Sequence, residues 1–359
     1  MPATTPPASV CLLRLSALGD VTHALALVRN LQRARPDMRI TWIIGRAEAK
    51  LLQGLDGVEF LVFDKKGGWP AMRSLRRMLA GRRFDVLLQM QLALRANLLS
   101  LLVRADRRIG FDVGRSKEGH GLVVRERIPP GGMHVLDAFA QFGAVLGCPP
   151  DQVDWRMPVP DEARDWARAQ LPDGPPALLI SACSSHPLRN WRPERYAAVA
   201  GHALARGWRV LLCGGAAAIE RRMADAVLSA MPARDQVQDL VGKDTFKRFL
   251  ALCERASLLM APDSGPVHMA NAMGCRVLGL YACTSTARSG PYSDRRWCVD
   301  HYAQAAERFM RRPAAALPWG KRIECPGVMD LVSVDAVIDR FEACAADLPM
   351  CQAPGRLAP

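Results

Sequence analysis

The feature that most constrains this chain is the alternation of short apolar runs with segments of helical period. Residues 10–15, 39–44, 60–63 and 86–90 are mainly apolar, and each run is followed by a segment with recurring apolar positions. Such alternation predicts parallel strands joined by helices. The same pattern resumes after residue 176. The sequence therefore predicts two α/β units.

A proline-rich stretch separates the two series of predicted strands. A chain of 359 residues is longer than one hydrophobic core usually supports. Prolines at high density stiffen a connection and stop regular structure. They stand at Pro149, Pro150, Pro158, Pro160, Pro172, Pro175 and Pro176. We expect an N-terminal domain over residues 1–155, a linker over 156–175, a C-terminal domain over 176–330, and a final helix and tail over 331–359 that could brace the N-terminal domain.

Positive charge is concentrated in one part of the chain. The net charge is +13, and residues 65–117 hold 13 Lys or Arg against 3 Asp, a local charge of +10. A basic field of this size attracts an anionic partner, such as a nucleic acid, an acidic membrane surface or a phosphorylated substrate. The plainer interpretation is a solvated, arginine-rich face. Because no nucleic-acid-binding motif accompanies the charge, we expect no nucleic-acid partner.

The cysteines and the hydropathy indicate a reducing compartment and no membrane span. None of the eleven cysteines forms a CxxC motif or has zinc-ligand spacing. Most should be buried thiols, with Cys344 and Cys351 more exposed. We expect no resident metal and no required cofactor, and the use of a divalent ion stays open. Because no signal peptide is recognisable and polar residues interrupt the apolar stretch 86–103, the protein is predicted to be cytoplasmic.

The first candidate site follows the first predicted strand. A tight loop over residues 16–19 leads to Asp20 at the start of a helix. Asp20 could simply cap the helix, which is a common position for Asp, or act as a general base. His23, one turn further on, is expected to pack in the core. No G-x-G-x-x-G motif occurs here, which disfavours a Rossmann oxidoreductase.

A second candidate loop follows the first strand of the second half. Ser184, Ser185 and Arg189 bring two hydroxyls and a guanidinium together, a combination that suits a phosphate. The alternative is a polar loop that Trp191 anchors to the core.

A third candidate loop spans residues 261–270. Asp263 ends a strand, and Ser264 and Gly265 expose the N–H groups at the start of the next helix, where a diphosphate is favoured. His268 lies within the first turn. It could contact a ligand or be a buried residue.

Four motifs in order resemble glycosyltransferase family 9, the bacterial ADP-heptose:lipopolysaccharide heptosyltransferases. The motifs are RLSALGD at residues 14–20, the pair Ser184-Ser185 followed by RNW at 189–191, GKDT at 242–245, and PDSGPVH at 262–268. Together they cover roughly residues 10–300.

This resemblance implies a GT-B fold, in which two Rossmann-like doubly wound domains face each other across a cleft. It implies inverting transfer of heptose from ADP-heptose to an anionic lipopolysaccharide inner-core acceptor, with Asp20 as the general base. The N-terminal domain would bind the acceptor, and the C-terminal domain would bind the nucleotide sugar.

The resemblance also assigns binding residues. Those expected to contact the nucleotide sugar are Ser184, Ser185, Arg189, Glu220, Asp244, Thr245, Asp263, Ser264, Gly265 and His268. The family usually has Lys where this chain has Arg189, and a planar guanidinium is not equivalent to an ammonium group. Those expected near the acceptor are Gly19, Lys65, Lys66, Gln91, Arg95, Arg115 and Lys117.

Other functions remain open at this stage. The basic field would also let an enzyme rest peripherally on the anionic inner membrane. Residues 288–318 depart from the family's typical sequences, and could shape substrate choice or only cover the domain. A family relative that uses another nucleotide sugar or acceptor is one alternative. A non-catalytic nucleotide-sugar-binding protein is another.

Overall fold

The computed structural model describes residues 7–348. Within them the chain forms two compact units, one ending at Pro158 and the other beginning at Val159. None of the described helices is both long and apolar enough to span a bilayer.

The first unit contains a sheet of six parallel strands. The strands are β1 (Ser9–Leu13), β2 (Arg39–Gly45), β3 (Val58–Phe63), β4 (Phe84–Gln89), β5 (Ala105–Gly110) and β6 (Glu126–Arg127). The helices are α1 (Leu18–Ala34), α2 (Arg46–Leu51), α3 (Gly68–Met78), α4 (Leu94–Ser100), α5 (His120–Val123) and α6 (Val135–Val145). The strand order is β3-β2-β1-β4-β5-β6, so the winding direction reverses between β1 and β4.

The second unit repeats this winding. Its strands are β7 (Ala177–Ile180), β8 (Arg209–Leu212), β9 (Val237–Asp239), β10 (Leu258–Pro262), β11 (Arg276–Tyr281) and β12 (Val299–Asp300). Its helices are α7 (Asp161–Gln170), α8 (Pro193–Ala205), α9 (Ala218–Ser229), α10 (Phe246–Cys253), α11 (Gly265–Ala272), α12 (Thr286–Ser289), α13 (Tyr302–Met310) and α14 (Val334–Ala346). The order β12-β11-β10-β7-β8-β9 reverses between β7 and β10. The expected pair of Rossmann-like sheets is confirmed.

Both faces of the first sheet are covered, as parallel sheets require. All five residues of β1 are buried. Cys11 and Leu13 belong to a core cluster with Leu75 of α3 and Leu99 of α4. Since side chains alternate along a strand, Val10 and its like-facing neighbours cover the opposite face.

The apolar pattern missed elements that are rich in charge. Strand β5 reads ADRRIG, and its arginines are paired rather than apolar: Arg107 forms an ion pair with Glu126, and Arg108 donates to backbone carbonyls. Helix α9 has only Ala224 and Val227 buried. Because charged residues interrupt the apolar positions of both elements, hydrophobic periodicity cannot detect them.

The C-terminal part of the chain packs within the second unit. Helix α14 contacts α8 and β11, and the Phe341 ring is fully buried against Trp208. Cys344 is also fully buried, so the expectation of an exposed thiol there is wrong. Bracing of the N-terminal domain by this helix stays a prediction. Cys351 and the tail 349–359 lie outside the described residues.

The structure gives a packing role to part of the expected linker and to part of residues 288–318. Helix α7 occupies the stretch expected to be a linker, and it packs against α10. Residues 288–318 contribute Trp297 and Tyr302 to the core of the second unit. Packing therefore accounts for these two aromatic residues.

Candidate active site

In the first unit, the loops after β1 and β4 meet at the point where the winding reverses. Arg14, directly after β1, donates to the backbone carbonyl of Met90 and forms an ion pair with Asp20. Its guanidinium also lies over the Phe139 ring, 5.4 Å from the centroid. The residue after the strand therefore fixes the carboxylate at the start of the helix.

Asp20 is the third residue of α1, and its side chain is 27% exposed. One carboxylate oxygen lies 3.4 Å from the backbone nitrogen of Ala17, the residue that precedes the helix. The capping role and a chemical role are therefore compatible, because the ion pair and the cap leave part of the carboxylate accessible. His23 is buried against the edge of the His134 ring, as the packing interpretation predicted.

Gln91 and Arg95 connect three loops at the same edge of the sheet. The Gln91 side-chain carbonyl accepts from the Leu15 N–H at 2.7 Å. Arg95 donates to the Lys65 carbonyl, also at 2.7 Å. Gly19 is buried in the first turn of α1. The structure thus brings Gln91, Arg95 and Lys65 to the edge that carries Asp20.

The predicted basic acceptor residues differ in their surroundings. Lys66 and Lys117 are exposed, whereas the Lys65 ammonium pairs with Glu48 at 2.8 Å. Arg115 is buried, pairs with Asp112 and donates to Gln141.

Arg115 lies between Asp112, in the loop that follows β5, and Gln141 of α6. The sequence shows its positive charge but not these partners, which come from separate parts of the chain. In the structure Arg115 supports the loop that follows β5, and its contact with the acceptor stays a prediction.

A buried polar network, which sequence reasoning missed, holds α4 and α5 to the sheet. Gln89 donates to the Asn97 side-chain carbonyl at 2.9 Å, and Asn97 Oδ1 lies 3.1 Å from His120 Nδ1. His120 Nε2 accepts from the Phe111 N–H at 3.0 Å. A side chain at Gly110 would collide with the His120 ring. The network fixes the loops after β4 and β5 through buried, directional bonds.

In the second unit, the loop after β7 is also held by polar contacts. The Ser184 N–H donates to Asn190 at 2.6 Å, and Ser185 is exposed. Trp191 is buried and donates to the Val332 carbonyl at 2.9 Å. Trp191 therefore anchors this loop to the core, and the phosphate role of Ser184 and Ser185 stays a prediction.

Arg189 already has a carboxylate partner in the structure. Its Nε and Nη2 atoms lie 2.8 and 2.6 Å from Glu324 Oε1. Glu324 Oε2 lies 3.7 Å from His186 Nε2. Burial acts to raise the pKa of Glu324, but Arg189, with a smaller contribution from His186, holds it below its usual value. Sequence reasoning missed Glu324, because it lies 135 residues away in the chain.

The loop after β10 leads directly into α11. Asp263 is partly buried, and its Oδ1 lies 4.0 Å from Nε2 of the buried His268. The Ser264 hydroxyl is buried and has no hydrogen-bond partner in the structure. The hydroxyl of Thr284, which follows β11, is likewise buried without a partner in the structure. Sequence reasoning predicted Ser264 but missed Thr284. A buried hydroxyl in this state can complete its hydrogen bonding with a ligand or a water molecule. Gly265 begins the helix.

Glu220, Asp244 and Thr245 follow strands of the same sheet. Glu220 Oε1 accepts from the Gly215 N–H at 3.0 Å. Burial raises the pKa of Asp244 to about 7, and Glu220 adds to the rise, although the Gly214 backbone opposes it. Thr245 caps α10 by accepting from the Arg248 N–H at 3.3 Å. The structure brings Glu220 and Asp244 to the Gly214–Gly215 turn, whereas Thr245 serves the helix.

The thiols and carboxylates form no metal centre among residues 7–348. No group of three or more His, Cys, Asp or Glu side chains in that range is arranged to hold a metal ion. The ten described cysteines are free, and eight of them are buried. Burial raises the pKa of the Cys283 thiol to about 12, which makes it a poor nucleophile.

The fold and the two sets of loops define a class. Each unit has a Rossmann-like sheet of six parallel strands, and the fold is that of GT-B glycosyltransferases. The model of "Glycosyltransferase family 9 (heptosyltransferase)" matches residues 72–317. The chain belongs to glycosyltransferase family 9, and it is a glycosyltransferase.

Relatives of known name or structure agree with this assignment. The chain is 35% identical over 340 residues to the lipopolysaccharide core heptosyltransferase OpsX of Haemophilus influenzae, covering 94% of this chain and 97% of the relative. A family 9 glycosyltransferase from Veillonella parvula has the same fold, with a TM-score of 0.75, 20% identity and coverage of 95% and 97% of the two chains. The Escherichia coli heptosyltransferase WaaC, solved with ADP, gives a TM-score of 0.70 at 18% identity, with coverage of 96% and 100%.

The buried His120 predicts a pH dependence of stability. Burial lowers its pKa from 6.5 to about 4, with a smaller effect from Arg127. Between pH 6.5 and 4 the unfolded chain therefore binds a proton that the folded chain excludes, so stability falls as the pH falls. The full effect is roughly 3 kcal/mol.

Urea denaturation across that range should show a steeper loss of stability for the wild type than for His120→Gln. The His301→Gln variant serves as a control and should retain the wild-type slope. Parallel curves for the wild type and His120→Gln would contradict the assignment.

Proposed function

We propose that this glycosyltransferase moves heptose from ADP-heptose to an anionic sugar of the lipopolysaccharide inner core, with inversion at the anomeric carbon. The substrate class is supported by the 35% identity to a lipopolysaccharide core heptosyltransferase over nearly the whole chain. The chemistry is carried by one observation: a partly exposed carboxylate, Asp20, held by Arg14 at the carboxyl end of β1.

In this proposal Asp20 is the general base. Its carboxylate takes the proton from an acceptor hydroxyl as that oxygen bonds to the anomeric carbon of the donor. The bond from this carbon to the diphosphate oxygen breaks, and ADP leaves with the electron pair. One displacement inverts the anomeric centre, so no covalent enzyme intermediate is needed.

Arg14 gives Asp20 a defined direction. Its contacts with the Met90 carbonyl and the Phe139 ring hold the guanidinium, and the guanidinium in turn holds the carboxylate. Preorganisation of this kind lowers the cost of reaching a reactive geometry. Arg14 is therefore a positioning residue in the proposal.

The diphosphate is assigned to the loop edge of the second sheet. The first N–H groups of α11 carry partial positive charge, which favours an anion. The hydroxyls of Ser264 and Thr284 are buried without partners in the structure, and they could donate to phosphate oxygens of a bound diphosphate. Ser184, Ser185, Asp263 and His268 complete the proposed binding surface for the phosphates and the sugar.

Arg189 is proposed to contact the diphosphate from within its pair with Glu324. Nε and Nη2 engage that carboxylate, while the guanidinium has a third nitrogen, Nη1. Glu324 is thus proposed to orient Arg189 rather than to replace the phosphate.

The nucleoside is assigned to Glu220, Asp244 and Thr245. Glu220 follows β8 and suits the ribose hydroxyls. With a pKa of about 7, Asp244 is protonated in part at neutral pH, so it can donate as well as accept a hydrogen bond. That property suits a ring of mixed donors and acceptors such as adenine.

The acceptor is assigned to the first unit. Lys66, Lys117 and Arg95 are exposed near the loops that follow β3, β4 and β5, and they suit phosphates and carboxylates on the acceptor. Gln91, Lys65 and Gly19 shape the same edge. We further propose a cytoplasmic enzyme, peripheral on the inner membrane, with no nucleic-acid partner, no required cofactor and no resident metal.

Replacing Asp20 tests the proposed base. Asp20→Asn keeps the size of the side chain but cannot accept the proton, so kcat should fall by about 10²–10⁴ while ADP affinity is retained. Transfer is measured with ADP-heptose and an inner-core acceptor, and ADP binding by calorimetry. The exposed Asp37→Asn serves as the matched control and should be fully active. Near-normal turnover by Asp20→Asn would disprove the assignment.

Replacing Arg189 tests the diphosphate site. Arg189→Ala should weaken ADP binding by roughly 10- to 100-fold, since hydrogen bonds to a charged group contribute about 1.5–3 kcal/mol. Arg192→Ala, in the same loop and paired with Asp330 instead, is the control and should bind ADP normally. An unchanged ADP dissociation constant for Arg189→Ala would refute the phosphate contact.

The same calorimetry identifies the donor. The wild type should bind ADP-heptose more tightly than UDP- or GDP-sugars, and a bound donor should raise the melting temperature by mass action. Preference for another nucleotide would point to a family relative with a different donor.

A further inference from the structure

The exposed apolar side chains of this protein are unevenly distributed. Among the described residues, every large hydrophobic side chain that is exposed lies in the first unit. These side chains are Val62, Trp69, Leu94, Leu98, Leu101, Val113, Leu122, Met133 and Val153. A protein surface that concentrates such residues usually has a binding partner.

Four of these residues are leucines on, or directly after, two neighbouring helices. Leu94 and Leu98 lie on α4 and Leu101 is the residue that caps its end, at intervals of four and three positions, so the three share one side of the helix. Leu122 lies on α5, which contacts α4. We call these four residues the leucine face. Their exposure ranges from 50% to 91%.

Core packing and a buried polar contact hold the two helices that carry the leucine face. The opposite side of α4 packs Ala96 and Leu99 into the core. Asn97 and His120 join α4 to α5 through the buried network. Because both helices are held in this way, the outward leucines are a property of the fold.

Trp69 extends the apolar surface toward α3. It lies in the first turn of that helix, exposed, and Arg95 of α4 donates to the Lys65 carbonyl four residues earlier in the chain. Helices α3 and α4 also pack against the same core cluster. Tryptophan beside lysines is typical of side chains at a membrane–water interface.

The apolar residues are surrounded in sequence by positive charge. Residues 65–117 carry a net charge of +10. The exposed basic residues on or beside α3, α4 and α5 are Lys66, Arg73, Arg76, Arg77, Arg95, Arg104, Lys117 and Arg125. Apolar side chains with a basic border match a bilayer whose headgroups are anionic.

We propose that the leucine face, with Trp69 and this basic border, docks on the surface of an anionic phospholipid bilayer. The leucines enter the acyl boundary, and the basic side chains contact the headgroups. A second copy of the chain fits less well, because a two-fold interface would bring the same positive charges together.

The biological role of this docking surface rests on the proposed function. Its position fits that function. Helix α4 follows the carboxyl end of β4, and Gln91 in the intervening loop bonds to the loop that leads to Asp20. Docking would therefore bring the acceptor loops to the membrane that holds a lipid-linked acceptor.

Vesicle co-sedimentation of the full chain tests the docking surface. The vesicles contain phosphatidylethanolamine and phosphatidylglycerol, with phosphatidylcholine vesicles for comparison and neither substrate present. The wild type should bind the anionic vesicles, and added salt should weaken this binding. The double variant Leu98→Gln/Leu101→Gln should reduce partitioning at least tenfold, and so should Arg73→Gln/Arg76→Gln/Arg77→Gln.

Matched controls remove similar groups elsewhere. Val153→Gln removes an exposed apolar side chain of the first unit, and Arg308→Gln/Arg311→Gln/Arg312→Gln removes three exposed charges of the second. Both should bind vesicles as the wild type does. Unchanged melting temperatures would establish that the test variants are folded.

Three outcomes would overturn the proposal. They are equal binding to neutral and anionic vesicles, wild-type binding by the leucine variant, and a concentration-dependent dimer in light scattering that the leucine variant abolishes. Vesicle binding and heptose transfer can be measured separately. The Asp20→Asn variant should bind vesicles normally, and the Leu98→Gln/Leu101→Gln variant should still act on a delipidated acceptor. A chain that binds vesicles but transfers no heptose would contradict the proposed function and leave the docking surface intact.

Discussion

The organisation of this protein depends on the reversal of strand order within each parallel sheet. Helices on either side of the reversal wind in opposite directions, so the loops after two adjacent strands separate and leave room at the sheet edge. In the first unit these are the loops after β1 and β4, and in the second those after β7 and β10. Each of the candidate loops found in the sequence lies at one of these two places.

Polar contacts hold the loops in place at both reversals. Arg14 connects the ends of β1 and β4 and fixes Asp20, while Gln91 adds a second bond between the same loops. Asn190 holds the backbone at Ser184 in the second unit. Because buried polar groups are costly without partners, such contacts also specify one loop conformation.

The two units differ in surface chemistry although they share one winding. The first carries most of the net positive charge and the exposed large apolar side chains among the described residues. The second buries several aromatic residues, including Trp297 and Tyr302 of the segment 288–318 that the sequence left unassigned. This difference supports the proposal that the first unit meets an anionic, lipid-linked acceptor and the second binds a nucleotide sugar.

Sequence alone determined the winding of the chain, most strand positions and the loops that carry polar residues. These follow from local periodicity and from the chemistry of Gly, Pro, Asp and Ser at strand ends. Tertiary structure decided which charged side chains are buried and which are exposed. Arg115 and Lys117 look alike in sequence, yet one is buried against Asp112 and the other is exposed. Arg189 meets Glu324, and Asn97 meets His120, across separations that no local pattern reports. Burial and partnership depend on contacts between distant segments, and those exist only once the sheet has assembled.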